Sequence, residues 1–289
     1  MALTRRRFIP LLIIFAASVL QAGYVLPETV PNVNPEPVKN AGVGGDFAAQ
    51  AISDFLDEKL EYEISFLWFK KAATGSASFS REGDGYKAVL QAETRGFVGF
   101  VTGHRKHIYV SHMKFDPEKK KLRSYLFERF VTIRKREEKT LNWVDYKQRS
   151  FAWKDYKKGD LVDEGVEPIP KGVEYEDILS AYYNFRLGVF GPAERGRKFQ
   201  VNTIPEKGES VIGVNITSEE EAEQSRKLFG SGYDEDLMHI KVRVPRVIFR
   251  SKKGEVDVWV GGRMRPVKGI VRDYIGFGDI RCALSGWDD

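Results

Sequence analysis

The chain has 289 residues, with 46 Lys+Arg against 41 Asp+Glu, 42% hydrophobic residues and a single cysteine, Cys282. That length and apolar content are ample for a sizeable core, and one cysteine excludes any disulfide within the chain, so stability rests on ordinary packing. The net charge of +5 argues against nucleic-acid binding once its distribution is considered. Residues 1–22 contain three arginines and no acids, so their removal leaves 43 basic residues against 41 acidic ones, a charge of +2.

Arg5, Arg6 and Arg7 precede an apolar run from Phe8 to Leu20, and the small residues Ala22 and Gly23 follow. A basic start, a short apolar middle and a small-residue exit describe a secretory signal peptide over residues 1–22. The run is short of the ~20 apolar residues a spanning helix needs, so no integral membrane protein is expected after signal removal. "TRRRF" also matches a twin-arginine signal, but the strongly apolar middle favours the Sec route and a periplasmic destination. Residues 23–45, rich in proline and then glycine, read as a flexible linker, and residues 46–289 as a single β-rich domain.

The domain opens with a short amphipathic helix carrying Phe47, Ile52, Phe55 and Leu56. The period then changes to two. In "KLEYEISFLWF" the residues Leu60, Tyr62, Ile64, Phe66 and Trp68 share one face. "YKAVLQAETRG", "FVGFVTG", "HIYVSHMKF", "LRSYLFERFVTIRKR", "TLNWVDYKQ" and "SFAWKDYKKGD" continue as strands of an antiparallel meander, with "DPEKK" as a turn. "EYEDILSAYYNFRLGVFGP" breaks the pattern, because Ile178, Ala181, Tyr182 and Phe185 recur at helical spacing before Gly191-Pro192. "KFQVNTI" and "SVIGVNIT" resume the strands, and "SEEEAEQSRKLFG" reads as a polar helix capped by Ser218. "LMHIKVRV", "RVIFR", "EVDVWVGG", "RPVKGIVRDY" and "GDIRCAL" are further strands, and Cys282 sits in the last of them as a small core residue.

The fold expected from this order is mainly β: a large antiparallel curved sheet or open half-barrel, one central amphipathic helix packed on or across it, and short peripheral helices. An outer-membrane barrel is disfavoured by Arg129 in the middle of "LFERFVT", since a lipid-facing arginine costs ~2–4 kcal/mol at midplane.

Three blocks carry a family resemblance. "EKLEYEISFLWFKKAATGSASF", "YEDILSAYYNFRLGVFGP" and "GEVDVWVGGRMRPVKGIVRDYIGFGDIRCAL" resemble, in the same order, the opening strands, central helix and C-terminal strand pair of the exported bacterial family of domain of unknown function 3108. The blocks bracket residues 58–284. Asp57, where the family has glycine, and the inserted "SEEEAEQSRKLFGSGYDED" depart from its pattern. The resemblance implies an exported β-rich domain and brings no catalytic residues with it.

No reaction is legible. His104, His107 and His112 lie close together, but His107 and His112 point to opposite faces of one strand, so no metal site is expected. No Gly-x-Ser-x-Gly nucleophile is present, "GVGGDF" lacks the lysine of a phosphate loop, and no cofactor is implied. Asp177 and Arg186, nine apart on the central helix, are candidates for a polar site. Trp68, Tyr182, Tyr183, Phe185 and Trp259 are the candidate ligand-binding aromatics between helix and sheet. The reading is therefore a non-catalytic binding or carrier protein for a lipid or other apolar, envelope-derived ligand, with an interaction module for another envelope protein as the alternative. A hydrolase on envelope polymers is the least supported of the three.

Overall fold

A computed structural model describes residues 52–66, 69–206, 209–226, 237–245, 252–274 and 278–288. The signal peptide, the linker, the first residues of the lead-in helix with Phe47, Trp68 and the "RVIFR" strand lie outside the described residues. The first half of the chain contributes β1 (Lys59–Phe66), β2 (Phe69–Glu82), β3 (Gly85–Thr94), β4 (Lys106–Asp116), β5 (Lys121–Ile133), β6 (Arg136–Asp145), β7 (Ser150–Lys157) and β8 (Asp160–Pro168). The second contributes β9 (Lys198–Glu206), β10 (Glu209–Ile216), β11 (Met238–Arg243), β12 (Glu255–Val260), β13 (Pro266–Tyr274) and β14 (Gly278–Asp288). Three helices are described: α1 (Gly96–Thr102), α2 (Ile178–Arg186) and α3 (Glu219–Arg226).

Among the described residues the fourteen strands form one antiparallel sheet in the order β8-β7-β6-β5-β4-β3-β2-β1-β14-β13-β12-β11-β10-β9. Each half is a meander of hairpins, and the pairing of β1 with β14, Ile64 opposite Cys282, welds the halves together. The sheet does not close, so β8 and β9 are its two ends. Local turn chemistry matches the sequence. Asp116 Oδ1 accepts from the amides of Glu118 and Lys119, turning β4 into β5. Lys158 and Gly159, both at positive φ, form the two-residue turn into β8, a strand the period-two reading of "LVDEGVEP" passes over.

"FVGFVTG" is a correction. Its apolar and β-branched residues read as a strand, but the segment folds as α1. Val98 and Thr102, four apart, are both buried, and the Thr102 hydroxyl donates to the Val98 carbonyl at 2.7 Å. Gly103 ends the helix at φ 80, a left-handed position that favours glycine.

The main core lies between α2 and the inner face of β2–β7. Leu179 and Tyr183 of α2 pack with Phe55, Phe79, Met113, Leu122, Phe127 and Phe151. The buried side of α2 is Leu179, Ser180, Tyr183 and Asn184, one step round from the apolar stripe that the sequence presents. Ala181 turns towards a second cluster on Val201 and Ile212 of β9 and β10, and Ile178 packs against both clusters. The helix thus fills the space between the two halves of the sheet. It stops at Arg186, before Gly191-Pro192, because Leu187 is already its C-cap. The polar helix α3 is capped as its sequence implies: Ser218 Oγ accepts from Glu221 N, and Glu221 Oε2 accepts from Ser218 N.

Asn184 shows how α2 is registered on the sheet. The β5–β6 ladder stops at Leu126, so Leu122 has no partner strand on that side. The Asn184 carboxamide substitutes for one, accepting from Leu122 N and donating to Leu122 O, both at 2.8 Å. Asn184→Ala leaves both backbone groups buried and unpaired, and is expected to lower stability by about 2–3 kcal/mol, read as a shift in urea midpoint at unchanged m-value.

Candidate functional site

The N-terminus of α2 sits in a buried polar seat. Asp177 Oδ1 accepts from the amides of Leu179 and Ser180, and the Ser180 hydroxyl accepts from Asp177 N in return. Asp177 Oδ2 accepts from Ser111 Oγ of β4 at 2.6 Å. Burial pushes this carboxyl above its ordinary range, against those hydrogen bonds. Beside it Glu176 meets Lys121 Nζ at 2.5 Å and Asn184 Nδ2 at 3.0 Å. The backbone of Glu176 bonds to Asn202 O and Ile204 N of β9. Glu174 gathers Lys119, Lys121 and Arg123. Partial burial pushes its carboxyl up, but the three cations outweigh that and hold it at about 2.

The other end of α2 carries a second ion group. Arg186 spans Glu58 with Nη1 at 2.5 Å from Oε2 and Nη2 at 3.1 Å from Oε1, and Arg265 Nε reaches the same Oε1 at 3.2 Å. Glu58 is 1% exposed. The Arg186 guanidinium also lies over the rings of Phe55, Tyr182 and Tyr183. Asp177 and Arg186 therefore belong to separate networks, each satisfied by its own counter-groups, and both fasten the helix to the sheet.

The aromatic candidates disperse in the same way. Tyr183 is buried between Phe55 and Phe79, with Tyr182 edge-on to it. Phe185 stacks on Phe199 of β9. Trp259 is fully buried in a different cluster, stacked on His239. Among the best-formed cavities, the one beside α2, lined by Tyr109, Phe127, Asp177, Ile178 and Ile204, holds about 20 Å³, room for about one water.

Two arrangements escape a period-based reading. Thr217, His239, Asp257 and Arg272 form a chain across β11–β13. His239 Nδ1 lies 3.2 Å from Thr217 Oγ1, Nε2 lies 2.8 Å from Asp257 Oδ1, and Asp257 Oδ2 accepts from Arg272 Nε at 2.6 Å. The order Thr–His–Asp resembles a nucleophile relay, yet Thr217 and His239 are both 0% exposed, so no substrate reaches them. The row ties the strands together instead. Its sequence signal is a charged residue in a buried phase, Asp257 two positions before Trp259. His112, by contrast, is bracketed on the outer face by Glu82 at 2.6 Å and Glu128 at 3.2 Å, while His107 is buried. Among the described residues no three His, Cys, Asp or Glu side chains group as a metal site.

The second arrangement is a groove of about 550 Å³ over β6–β8, lined by Leu141, Trp143, Tyr156 and Val166 with Lys154 and Glu164. Register places most of its lining on one side, Trp153 and Gly165 excepted. Phe127, Asn142, Trp153 and Gly165 pair across four strands on the core face, so Trp143, Ala152 and Val166 occupy the face opposite α2. Gly165 is required because the Trp153 indole lies directly against it, where a Cβ would collide. The groove borders β8, whose Leu161, Val162 and Val166 are exposed.

Three outcomes test this geometry. Glu58→Ala leaves two arginines facing each other, and should cost about 3–5 kcal/mol in thermal or urea unfolding, most of it recovered in Glu58→Leu/Arg186→Leu. Glu174 stabilises the fold fully above its ordinary pKa, and this is lost as pH falls through about 2. Urea midpoints of Glu174→Gln should therefore decline less between pH 5 and 2 than those of the parent chain. Burial pushes the Cys282 thiol up to about 11, so alkylation at neutral pH should run slower than for a free cysteine and quicken when denaturant is added.

The family model described as "Protein of unknown function (DUF3108)" matches residues 61–282. A comparison with curated proteins returns no match. Among solved structures, the chain is similar to a "Beta-barrel-like Protein of Domain of Unknown Function DUF1849" from Brucella abortus, at 10% identity and a TM-score of 0.43, covering 81% of this chain and 98% of that one. With the family match spanning the described sheet apart from the first two residues of β1 and the last six of β14, the chain belongs to the DUF3108 family of proteins of unknown function.

Proposed function

We propose that the protein is an exported, non-catalytic binding protein of the cell envelope that docks an extended segment of another envelope protein along β8 and the groove beside it. The observation that carries this reading is the contrast between the narrow space beside α2 and an open outer groove. A carrier that hides a lipid from water buries most of its ligand in an enclosed cavity of several hundred Å3. The space beside α2 is about 20 Å³, whereas the groove of about 550 Å³ lies open on the outer face. Among the described residues β8 has β7 on one side and no strand on the other, which is the geometry for strand addition.

The strand also selects its partner. Asp160, Asp163, Glu164 and Glu167 punctuate Leu161, Val162 and Val166 along β8. These acids oppose pairing with a second copy of the same edge and favour a segment in which Lys or Arg alternates with apolar residues. The adjoining Trp143 and Tyr156 offer apolar area for the side chains of that segment that turn towards the outer face. The apolar lining is also the feature that keeps the carrier reading as the second one, with an acyl chain lying in the groove.

Peptides of about eight residues, one alternating Lys with Val and one alternating Glu with Val, separate these readings. The basic peptide is expected to bind with a change in tryptophan fluorescence, and Glu164→Lys/Glu167→Lys to reverse the preference. Equal binding of both peptides, or of neither, overturns the proposal. Stoichiometric lipid in an organic extract of the purified protein, lost in Trp143→Ala, would establish the carrier reading instead.

A further inference from the structure

We infer that the end of the sheet carrying α1 is a docking surface for an anionic phospholipid bilayer. Phe97 and Phe100 of α1 are 66% and 72% exposed, among the most exposed large hydrophobic side chains described. They lie three apart and so on one side of the helix, while Val98, Gly99 and Thr102 face the domain. Their exposure is built in. The Thr102 hydroxyl bonds to Val98 O and Thr94 Oγ1, and Thr94 Oγ1 also accepts from Arg105 N, so the underside of α1 is fastened to β3 and β4. Phe97 stacks on Phe69 at the start of β2, 6.2 Å between centroids, which holds the ring upright.

The surroundings of the two rings are basic. The β5–β6 turn presents Arg134, Lys135 and Arg136, all exposed, and is bound to the end of α1 by Arg134 N donating to Gly103 O at 2.7 Å. The β7–β8 turn presents Lys157 and Lys158 and is bound to the neighbouring strand by Lys158 N donating to Glu137 O at 2.7 Å. Acids are present at this end. Glu63 and Glu93 are engaged by Lys71 and Arg95, and Glu137 and Asp160 lie within the turns, so the excess is basic without being uniform. A pair of rigidly held apolar rings with lysine- and arginine-bearing turns along the same end of the sheet is the pattern of a surface that places its rings at the acyl boundary and its cations among phosphates. Charge complementarity thus commits the occupant to an anionic lipid surface. The two surfaces meet at the β7–β8 turn, where Lys157, Lys158 and Asp160 adjoin Tyr156 and β8, but their tests read different places: a label at position 100 on α1, and peptide binding beside Trp143.

The test is positional, because the apolar stretch Phe8–Leu20 can itself bind vesicles. In the full chain, Phe100→Cys is labelled with an environment-sensitive fluorophore at neutral pH, and Lys119→Cys, in the β4–β5 turn at the opposite end of the strands, serves as the comparison site. Vesicles containing phosphatidylglycerol are expected to blue-shift the label at 100 and not at 119, and phosphatidylcholine vesicles to shift neither. Arg134→Ser/Lys135→Ser/Arg136→Ser should weaken the response about tenfold or more, as should high salt. These exposed substitutions should leave the unfolding midpoint unchanged. No shift at 100, an equal shift on phosphatidylcholine, or a response indifferent to the triple substitution overturns the inference. A shift produced by an acidic protein but not by anionic vesicles overturns it too, and assigns the surface to a protein partner.

Discussion

The structure depends on the segment from Glu174 to Arg186, which satisfies two constraints that an open fourteen-stranded sheet imposes. An open sheet exposes backbone donors and acceptors along its ends, and a curved one leaves its inner face to be filled. The backbone of Glu176 supplies Asn202 and Ile204 on the end strand β9, and the carboxamide of Asn184 supplies Leu122 where β6 has run out. Between those two anchors, Leu179 and Tyr183 fill the hollow. The buried charges of this segment follow from that placement. A helix entering from a sheet edge brings Glu176, Asp177 and Arg186 inside, and each is met by fixed counter-groups on strands or the lead-in segment. Such pairs contribute little net stability, but they penalise any other docking of the helix, because misplacement strands a charge.

Period-two alternation makes the β architecture legible from the sequence, because a hairpin meander needs only local signals: apolar alternation and turn residues such as Asp116 and Gly159. What alternation does not say is which phase faces inward. In "TLNWVDY" the phase containing Leu141 and Trp143 is the more apolar, yet Asn142 and Val144 are the buried pair. Asn142 is held there by its row with Phe127 and Trp153, a cross-strand fact invisible in one strand. The same ambiguity rotates α2 by one position. Ile178, Ala181, Tyr182 and Phe185 form the more evident stripe, but Ser180 and Asn184 make hydrogen bonds that draw their own side into the core. The polar groups decide orientation here, and hydropathy does not price their partners. The strand reading of "FVGFVTG" fails for a related reason: propensity favours a strand, while two flanking glycines and the Thr102 hydroxyl favour a helical turn.

The candidate site is less legible than the fold because a site depends on what remains open after packing. Tyr183 and Trp259 are the kind of residue that lines an apolar pocket, and equally the kind that fills one. Their rings lie against Phe79 and His239 at 4.4 Å in each case, so the protein's own side chains fill the space beside them. The chain of Thr217, His239 and Asp257 makes the same point for chemistry. Its donor and acceptor order is that of a relay, but full burial converts reactive groups into a cross-strand tie.

The proposed docking reading rests on the periphery, where the two ends of the sheet are not equivalent. The β9 end is met by Glu176, which contributes backbone hydrogen bonds to it. The β8 end leads directly into the same crossover, so the chain had the material to cover that edge as well. It does not run along it. Ile169 is buried and its amide bonds to Arg149 O, which turns the chain under the sheet at the end of β8. Exposure of a nine-residue edge strand is a liability that proteins ordinarily reduce by shortening, by cover or by charge. This chain uses mainly charge, four acids on one strand beside a register shift at Val162 and a terminal Pro168, which discourages association with copies of itself. An edge that is guarded against self-pairing but not against pairing in general is what a partner-specific docking strand requires. The same economy explains why the outer face beside it keeps Trp143 and Tyr156 half-buried, in a groove that the core does not need.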